Sequence, residues 1–432
     1  MFSAVNKEEI TNLKTGLVHL QGIFMESNQL ISQLLKTEYR KIVSVLCKHF
    51  GFDQIAIAED IASDTFLAAT ENWNNDKIPV NPIAWLYTVA KNKAKNYLQR
   101  AVLYENKISK ELTALTGNGS YEIDLSPQNI NDSQLQMMFA ICHPAIPAEA
   151  QIGLSLRILC GFSIDEIADA FLTNKETINK RLFRAKEKLR EEKIKIEIPA
   201  EAEMNRRLET VLTTIYLLFS EGYYSESQDR IIRKEFCVEA MRLCYMLVEN
   251  ESTNLPSVNA LLSLMCFHSS RLDARMNDKG EAILYAEQDD STWDTDLIRK
   301  GEYFLHCAST GNSISKYHLE ATIAYWHTHK ADTKEKWEAI LQLYNQLLQI
   351  EYSPIAALNR TFALSKANGK AAAIIEAEKL RLTTNQYYYA LLGELYTGID
   401  NEKAKQNFKK AFELAKTQAE RQVLLRKINE LY

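Results

Sequence analysis

The 432-residue chain has few chain breakers, with 14 Gly and 8 Pro. Sandwiches and barrels need many tight turns, and turns draw on those two residues for their backbone angles. Their scarcity predicts an all-α protein. Cysteine is sparse too: seven residues, an odd number with no C-x-x-C pair. That excludes a disulfide framework and a cysteine-based zinc site, and predicts buried, reduced thiols. No segment approaches the roughly 18 uninterrupted apolar residues of a spanning helix. The opening MFSAVNKEEI has no basic stretch followed by an apolar one, as a secretory leader would. No membrane partner is expected, and the expected location is the cytoplasm. A phosphate loop, a nucleophile elbow and a dinucleotide fingerprint are all missing, so no catalytic residue, cofactor or metal is expected. His327 and His329, two apart in AYWHTHK, lack a Cys/His set at ligand spacing and read as surface or interface histidines.

Charge of one sign is not in large excess: 51 Lys and Arg face 56 Asp and Glu, for a net charge of -5 and a pI near 6.0. The chain as a whole has no attraction for nucleic acid, so any such contact must come from local patches. Two patches are present. Asn174 to Ile196 holds nine Lys/Arg against four Asp/Glu, inside SIDEIADAFLTNKETINKRLFRAKEKLR. Ser163 with Glu166 and Thr173 with Glu176 each fit a capping box, in which hydroxyl and carboxylate satisfy backbone donors at a helix start. Two short helices joined by a turn are predicted, a helix-turn-helix. In the second helix Ile178, Leu182, Ala185 and Leu189 recur at helical spacing and are assigned to the inner face. Lys175, Thr177, Asn179, Lys180, Arg181 and Arg184 are left outward near its start, where they can reach DNA. A solvated amphipathic helix pair is the competing reading.

The second patch, Lys91 to Lys110, holds six Lys/Arg and one acid, Glu105. It lies on a predicted helix that Asn81 caps and Pro82 opens. Trp85, Thr88, Asn92 and Asn96 recur every three or four residues, flanked by Lys91, Lys95 and Arg100. Rings to stack on bases, amides for base edges and cations for phosphates are what single-stranded DNA requires; Trp85 as a core residue is the alternative. The preceding helix, in AEDIASDTF, presents Glu59, Asp60 and Asp64 as an acidic face, with Ile61 and Phe66 inward. A basic protein partner would suit it, as would favourable charge near a helix start. Beyond about Ala200 the balance changes to 28 Lys/Arg against 32 Asp/Glu. There Tyr389, Leu392, Gly393 and Tyr396, followed by Ala404, Phe408 and Ala411, match the tetratricopeptide pattern, with Leu358, Asn359 and Phe362 in register 34 residues earlier. The expected divisions are 1–105, a polar linker 106–131, 132–199, and 200–432.

AEDIASDTF, NPIAWLYTVAKNKAKNYLQR and the segment ending KRLFRAKEKLR together resemble regions 2 and 4 of extracytoplasmic-function sigma factors of the sigma-70 family. CHPAIPAEAQIGLSLRILCGFSIDEIADAFL, YLLFSEGYY, AEQDDSTWD and SPIAALNRTFAL look like the sigma group that carries a C-terminal TPR-like extension. The resemblance implies a region 2 bundle (1–105), a linker, a region 4 helix-turn-helix (132–199) and a TPR-like regulatory domain (200–432). It implies core RNA polymerase and promoter DNA, duplex and melted, as partners, and a regulatory protein at the C-terminal domain. Glu59, Asp60 and Asp64 would bind the polymerase. Trp85, Lys91, Asn92, Lys95, Asn96 and Arg100 would hold the melted strand, and Lys175, Thr177, Asn179, Lys180, Arg181 and Arg184 would read the duplex. Asn96 stands where this family commonly has Asp, and Gln99 where it has Arg. An adaptor that kept the sigma-like shape and no longer initiates transcription is the rival reading. A repressor acting without polymerase leaves the acidic helix unexplained.

Overall fold

The structure is a computed structural model describing residues 30–35, 37–73, 78–108, 123–171, 173–223, 234–275, 283, 285–415 and 417–431. Among them the regular elements are all helical. The chain divides into two compact units, 1–214 and 215–432.

In the first unit α1 (37–50) is the central helix, with Ile42, Val43, Val45 and Leu46 fully buried. Against it lie α2 (Ile55–Asn72) and α3 (Pro82–Ile108). Asn81 caps α3 as expected, its Oδ1 accepting the Ala84 N–H at 3.0 Å. The expected linker falls partly on 109–122, outside the described residues. Its ends are helical, because α3 runs to Ile108 and α4 (Pro127–Ile141) begins four residues before 131. Ser126 and Pro127 supply that start, as N-cap and first helical residue. Next come α5 (Ala148–Leu154), which runs into a π turn over Ser155–Leu159, then α6 (Ile164–Ala170) and α7 (Lys175–Glu191). Phe139, Leu154, Leu156, Ile178 and Leu189 fill this part of the core at 1% exposure or less.

In the second unit, the remainder of α8 (Glu201–Tyr223) is followed by α9 (Lys234–Glu249), α10 (Pro256–Ser269) and α11 (Thr295–Ala308). Helix α10 is buried along nearly its whole length. It meets α11 at Gly301, where a Cβ would stand 2.6 Å from the Phe267 ring. Helices α12 (Lys316–Trp326), α13 (Lys334–Ile350), α14 (Pro354–Asn368), α15 (Lys370–Leu380), α16 (Gln386–Tyr396), α17 (Asn401–Leu414) and α18 (Gln418–Asn429) then pack each against the next. The tetratricopeptide positions sit as the pattern requires. Leu392, Tyr396, Ala404, Phe408 and Ala411 are buried, and Gly393 lets α16 close on the Phe408 ring, where a Cβ would meet carbon at 2.6 Å. One period earlier Leu358 is buried, and Phe362 packs edge-on against Trp337 at 5.5 Å. Six of the seven cysteines are buried and all are free thiols. Among the described residues no helix is long and apolar enough to cross a membrane.

Candidate nucleic-acid and polymerase interface

Helix α3 has two unlike faces. Leu86, Ala90 and Ala94, each at 0% exposure, form its core side. Tyr87 anchors it to α1 by donating to Glu38 Oε2 at 2.5 Å. Burial and that bond push the Tyr87 hydroxyl well up from its ordinary range. The other face carries Trp85, Thr88, Lys91, Asn92, Lys95, Asn96 and Arg100. Thr88, Asn92, Lys95, Asn96 and Arg100 are exposed, and Lys91 is half-buried. Trp85 lies between the two readings offered for it. It is half-buried, with its ring at 63° and 5.3 Å from the fully buried Trp73. An edge-to-face pair of this kind fixes the ring, so Trp85 is a braced surface aromatic rather than a core residue.

The acidic residues of α2 part company. Ile55, Ala58, Ile61, Ala62, Thr65 and Phe66 bury the inner face. Asp60 and Asp64 are exposed, and Asp64 pairs with Lys93 at 3.5 Å. Glu59 is only 17% exposed, with Lys186 Nζ of α7 2.6 Å from Oε2 and Arg157 Nε of the π turn 3.7 Å from Oε1. Arg157 also lies over the Tyr39 ring at 5.7 Å. Burial raises the Tyr39 hydroxyl, and Arg157 works against that shift. The sequence reading missed this triad. Lys186 had one signal, its place between Leu182 and Leu189 at helical spacing, on the margin of the inner face.

In the helix-turn-helix, Ser163 and Glu166 form the expected capping box, with Ser163 N–H donating to Glu166 Oε2 at 2.7 Å and Glu166 N–H to Ser163 Oγ at 3.2 Å. The second box is corrected. The N-cap of α7 is Asn174, whose Oδ1 accepts the Thr177 N–H at 2.8 Å. Asn caps as well as Thr does, and Thr173 N–H instead closes the turn on Ala168 O at 3.0 Å. Glu176, freed from capping, pairs with Lys180 at 2.6 Å. Ile178, Leu182, Ala185 and Leu189 are buried as read from their spacing. Lys175, Thr177, Asn179, Lys180 and Arg184 are exposed, and Arg181, half-buried, stacks over Phe171 at 5.4 Å. Lys175 pairs with Asp165 at 2.5 Å. Exposed pairs of this kind are worth about 0–1 kcal/mol, so a phosphate can displace the carboxylate.

Residues 34–102 match the family model of sigma-70 region 2, the segment that holds α2 and the α3 face. ECF RNA polymerase sigma-E factors align as well. That of Haemophilus influenzae is 26% identical over 36% of this chain and 82% of its own length. That of Escherichia coli K12 is 24% identical over 38% and 86%. The chain belongs to the extracytoplasmic-function sigma-70 factors. A sigma factor of this group acts in transcription initiation. The family is not enzymatic, and the partners it implies are RNA polymerase and promoter DNA. Residues 207–309 match a family of unknown function, DUF6596. An uncharacterized protein of Rhizobium meliloti, R00370, is 31% identical over 85% of this chain and 88% of its own, so the sigma segments and the extension recur in one relative. No solved structure matches.

Proposed function

We propose that this sigma factor binds core RNA polymerase through α2, melts promoter DNA on the outer face of α3 and reads the upstream duplex with the start of α7. The domain divisions follow as region 2 (1–105), linker (106–131), region 4 (132–199) and a regulatory C-terminal domain (200–432) that modulates activity through a protein partner. The site of action is the cytoplasm. One observation carries the reading: Thr88, Asn92, Lys95, Asn96 and Arg100 stand exposed in one row beside a braced Trp85. That is a surface for stacking and phosphate contact for which the core has no use.

The Glu59 triad adds an order of events. A carboxylate held by Lys186 and Arg157 reaches a polymerase only after α7 and the π turn release it. Polymerase capture and separation of the two DNA-binding segments are then one coupled step.

The test is run-off transcription with core RNA polymerase and genomic DNA of the source organism. Discrete transcripts that depend on the chain are expected. Trp85→Ala keeps duplex binding and loses strand opening, measured by permanganate reactivity of unpaired thymines, while circular dichroism verifies the fold. A folded chain that yields no transcripts and binds no promoter strand is instead the TPR-like adaptor.

A further inference from the structure

In the second unit two cations, Arg271 and Lys336, lie against the ring of Tyr285. Arg271, just past the end of α10, lies with its guanidinium carbon 5.2 Å from the Tyr285 ring centroid and 5.7 Å from that of Trp293. Asp294 N–H donates to Ser270 O at 2.8 Å, which pins the Trp293 loop beside it. On the same tyrosine, Lys336 of α13 donates to the hydroxyl at 3.3 Å and also to the His329 carbonyl. Lys336 is 3% exposed.

Neither cation has a carboxylate partner among the described residues. Asp332, the nearest acid to influence Lys336, uses one oxygen for Trp337 Nε1 and the other for Lys366 at 2.9 Å. Polar atoms around the cluster are equally idle: Arg271 Nε, Trp293 Nε1, Gln288 Oε1 and His268 Nδ1 are buried without a hydrogen-bond partner. Gln288 is 4% and Trp293 5% exposed. A buried donor without a partner costs about 1–3 kcal/mol, and a buried charge without a counter-ion costs more. Idle atoms on Arg271, Trp293 and Gln288, with two cations that lack a carboxylate partner among the described residues, are too many around one tyrosine for packing alone.

We infer that this cluster is a binding site for a small anion, a carboxylate or phosphate group, with the Arg271 guanidinium as its fork and Lys336 as its second counter-charge. Arg presents a planar set of donors that fits either anion, and the flanking rings hold that plane in place. The neighbouring imidazoles are held down first by burial and then by the same field. Burial, then Arg271 and Arg275, hold His268 well below its ordinary range. Burial, then Arg271 and Lys336, push His327 down to about 3. Positive charge in the cluster comes from arginine and lysine rather than from the imidazoles, with Arg271 and Lys336 on the Tyr285 ring, and an anion would relieve it. The site lies around AEQDDSTWD, outside the residues proposed to meet promoter DNA, so the inference stands apart from that function.

Inorganic phosphate and succinate, each titrated calorimetrically into the full-length chain against sodium chloride of equal ionic strength, test it and tell the two chemistries apart. Saturable binding of at least one probe is expected, at one site per chain. Arg271→Gln weakens it at least tenfold, whereas Arg299→Gln, on the exposed side of α11, leaves it unchanged. Should Arg271→Gln fail to fold, Arg271→Lys keeps the charge, loses the fork and also weakens binding. The proposal is overturned if neither probe binds the wild-type chain beyond the chloride control, or if a folded Arg271 variant binds like wild type.

Discussion

The start of α7 in the first unit and the Tyr285 cluster in the second use their cations in opposite ways. On α7, Lys175 and Lys180 have side chains 68% and 65% exposed and lean on acids just as exposed. In the second unit Lys336 is 3% exposed and, like Arg271, has no acid partner among the described residues. Exposed charge is cheap to hold and easy to exchange, which suits a surface that must trade a carboxylate for a phosphate. Buried charge is costly and fixed, which suits recognition of one defined group. A tally of residue types points the other way, with a basic surplus on Asn174–Ile196 and a small acidic one beyond residue 200. Burial, not count, decides which charges carry energy.

If packing governs the second unit, its close contacts are where it breaks first. Gly301→Val would drive a Cβ to 2.6 Å from the Phe267 ring, and neither α10 nor α11 can move without opening the core. Destabilisation of about 3 kcal/mol or more is expected, measured as loss of the second unit's cooperative transition in a denaturant melt. A near-wild-type melt would mean that the buried interior is more plastic than the comparison supposes.

The next effect concerns titration. Burial raises Glu320 to about 7, and Glu320 Oε2 has no partner. Its folded state holds a proton that the unfolded chain, near 4.5, releases, so this group loses stability as pH rises from about 4.5 to 7. His268 and His327, held down by burial, act in the opposite sense and lose stability as pH falls below about 6.5. Glu320→Gln therefore raises the melting temperature at pH 8 and steepens the loss between pH 7 and pH 5. The difference from wild type is at most about 3 kcal/mol across that window. Parallel pH curves for the two proteins would show that Glu320 is wetter than its surroundings imply.

These regions also differ in how much of them the sequence disclosed. Periodicity placed Ile178, Leu182, Ala185 and Leu189 inside, and cap chemistry placed Ser163, Glu166, Asn81 and Pro82, because those signals act within one turn of helix. The α7 cap was misplaced by one residue, since TN offers two good caps in succession. Glu59 with Lys186, 127 residues apart, and Arg271 with Lys336, 65 apart, were illegible, because tertiary packing alone brings such groups together. His327 read as an ordinary surface or interface histidine, whereas burial, then Arg271 and Lys336, hold its pKa down.

In the first unit the Glu59 triad departs from the exposed style of α7, and a double-mutant cycle measures how far. Glu59→Gln and Lys186→Met are each expected to destabilise the first unit, and the pair to cost less than their sum. The coupling should be about 1–2 kcal/mol, between the ranges for exposed and fully buried pairs. Coupling near zero would return Glu59 to the surface class of Asp60 and Asp64.

The smallest effect tests the surface class itself. Lys180→Ala and Arg184→Ala remove exposed cations whose loss leaves the α7 core face of Ile178, Leu182, Ala185 and Leu189 intact, so melting temperatures should not move. Each is expected to lower promoter affinity by no more than about tenfold and to flatten the plot of log affinity against log salt by about 0.9, the value of one lost phosphate contact. Arg181→Ala gives the same change in slope and, because Arg181 also stacks on Phe171, a lower melting temperature. That split between neighbours on one helix separates a residue that only meets DNA from one that also holds the helix pair together. An unchanged slope in all three would place the phosphate contacts elsewhere on the chain and leave α7 without its reading role.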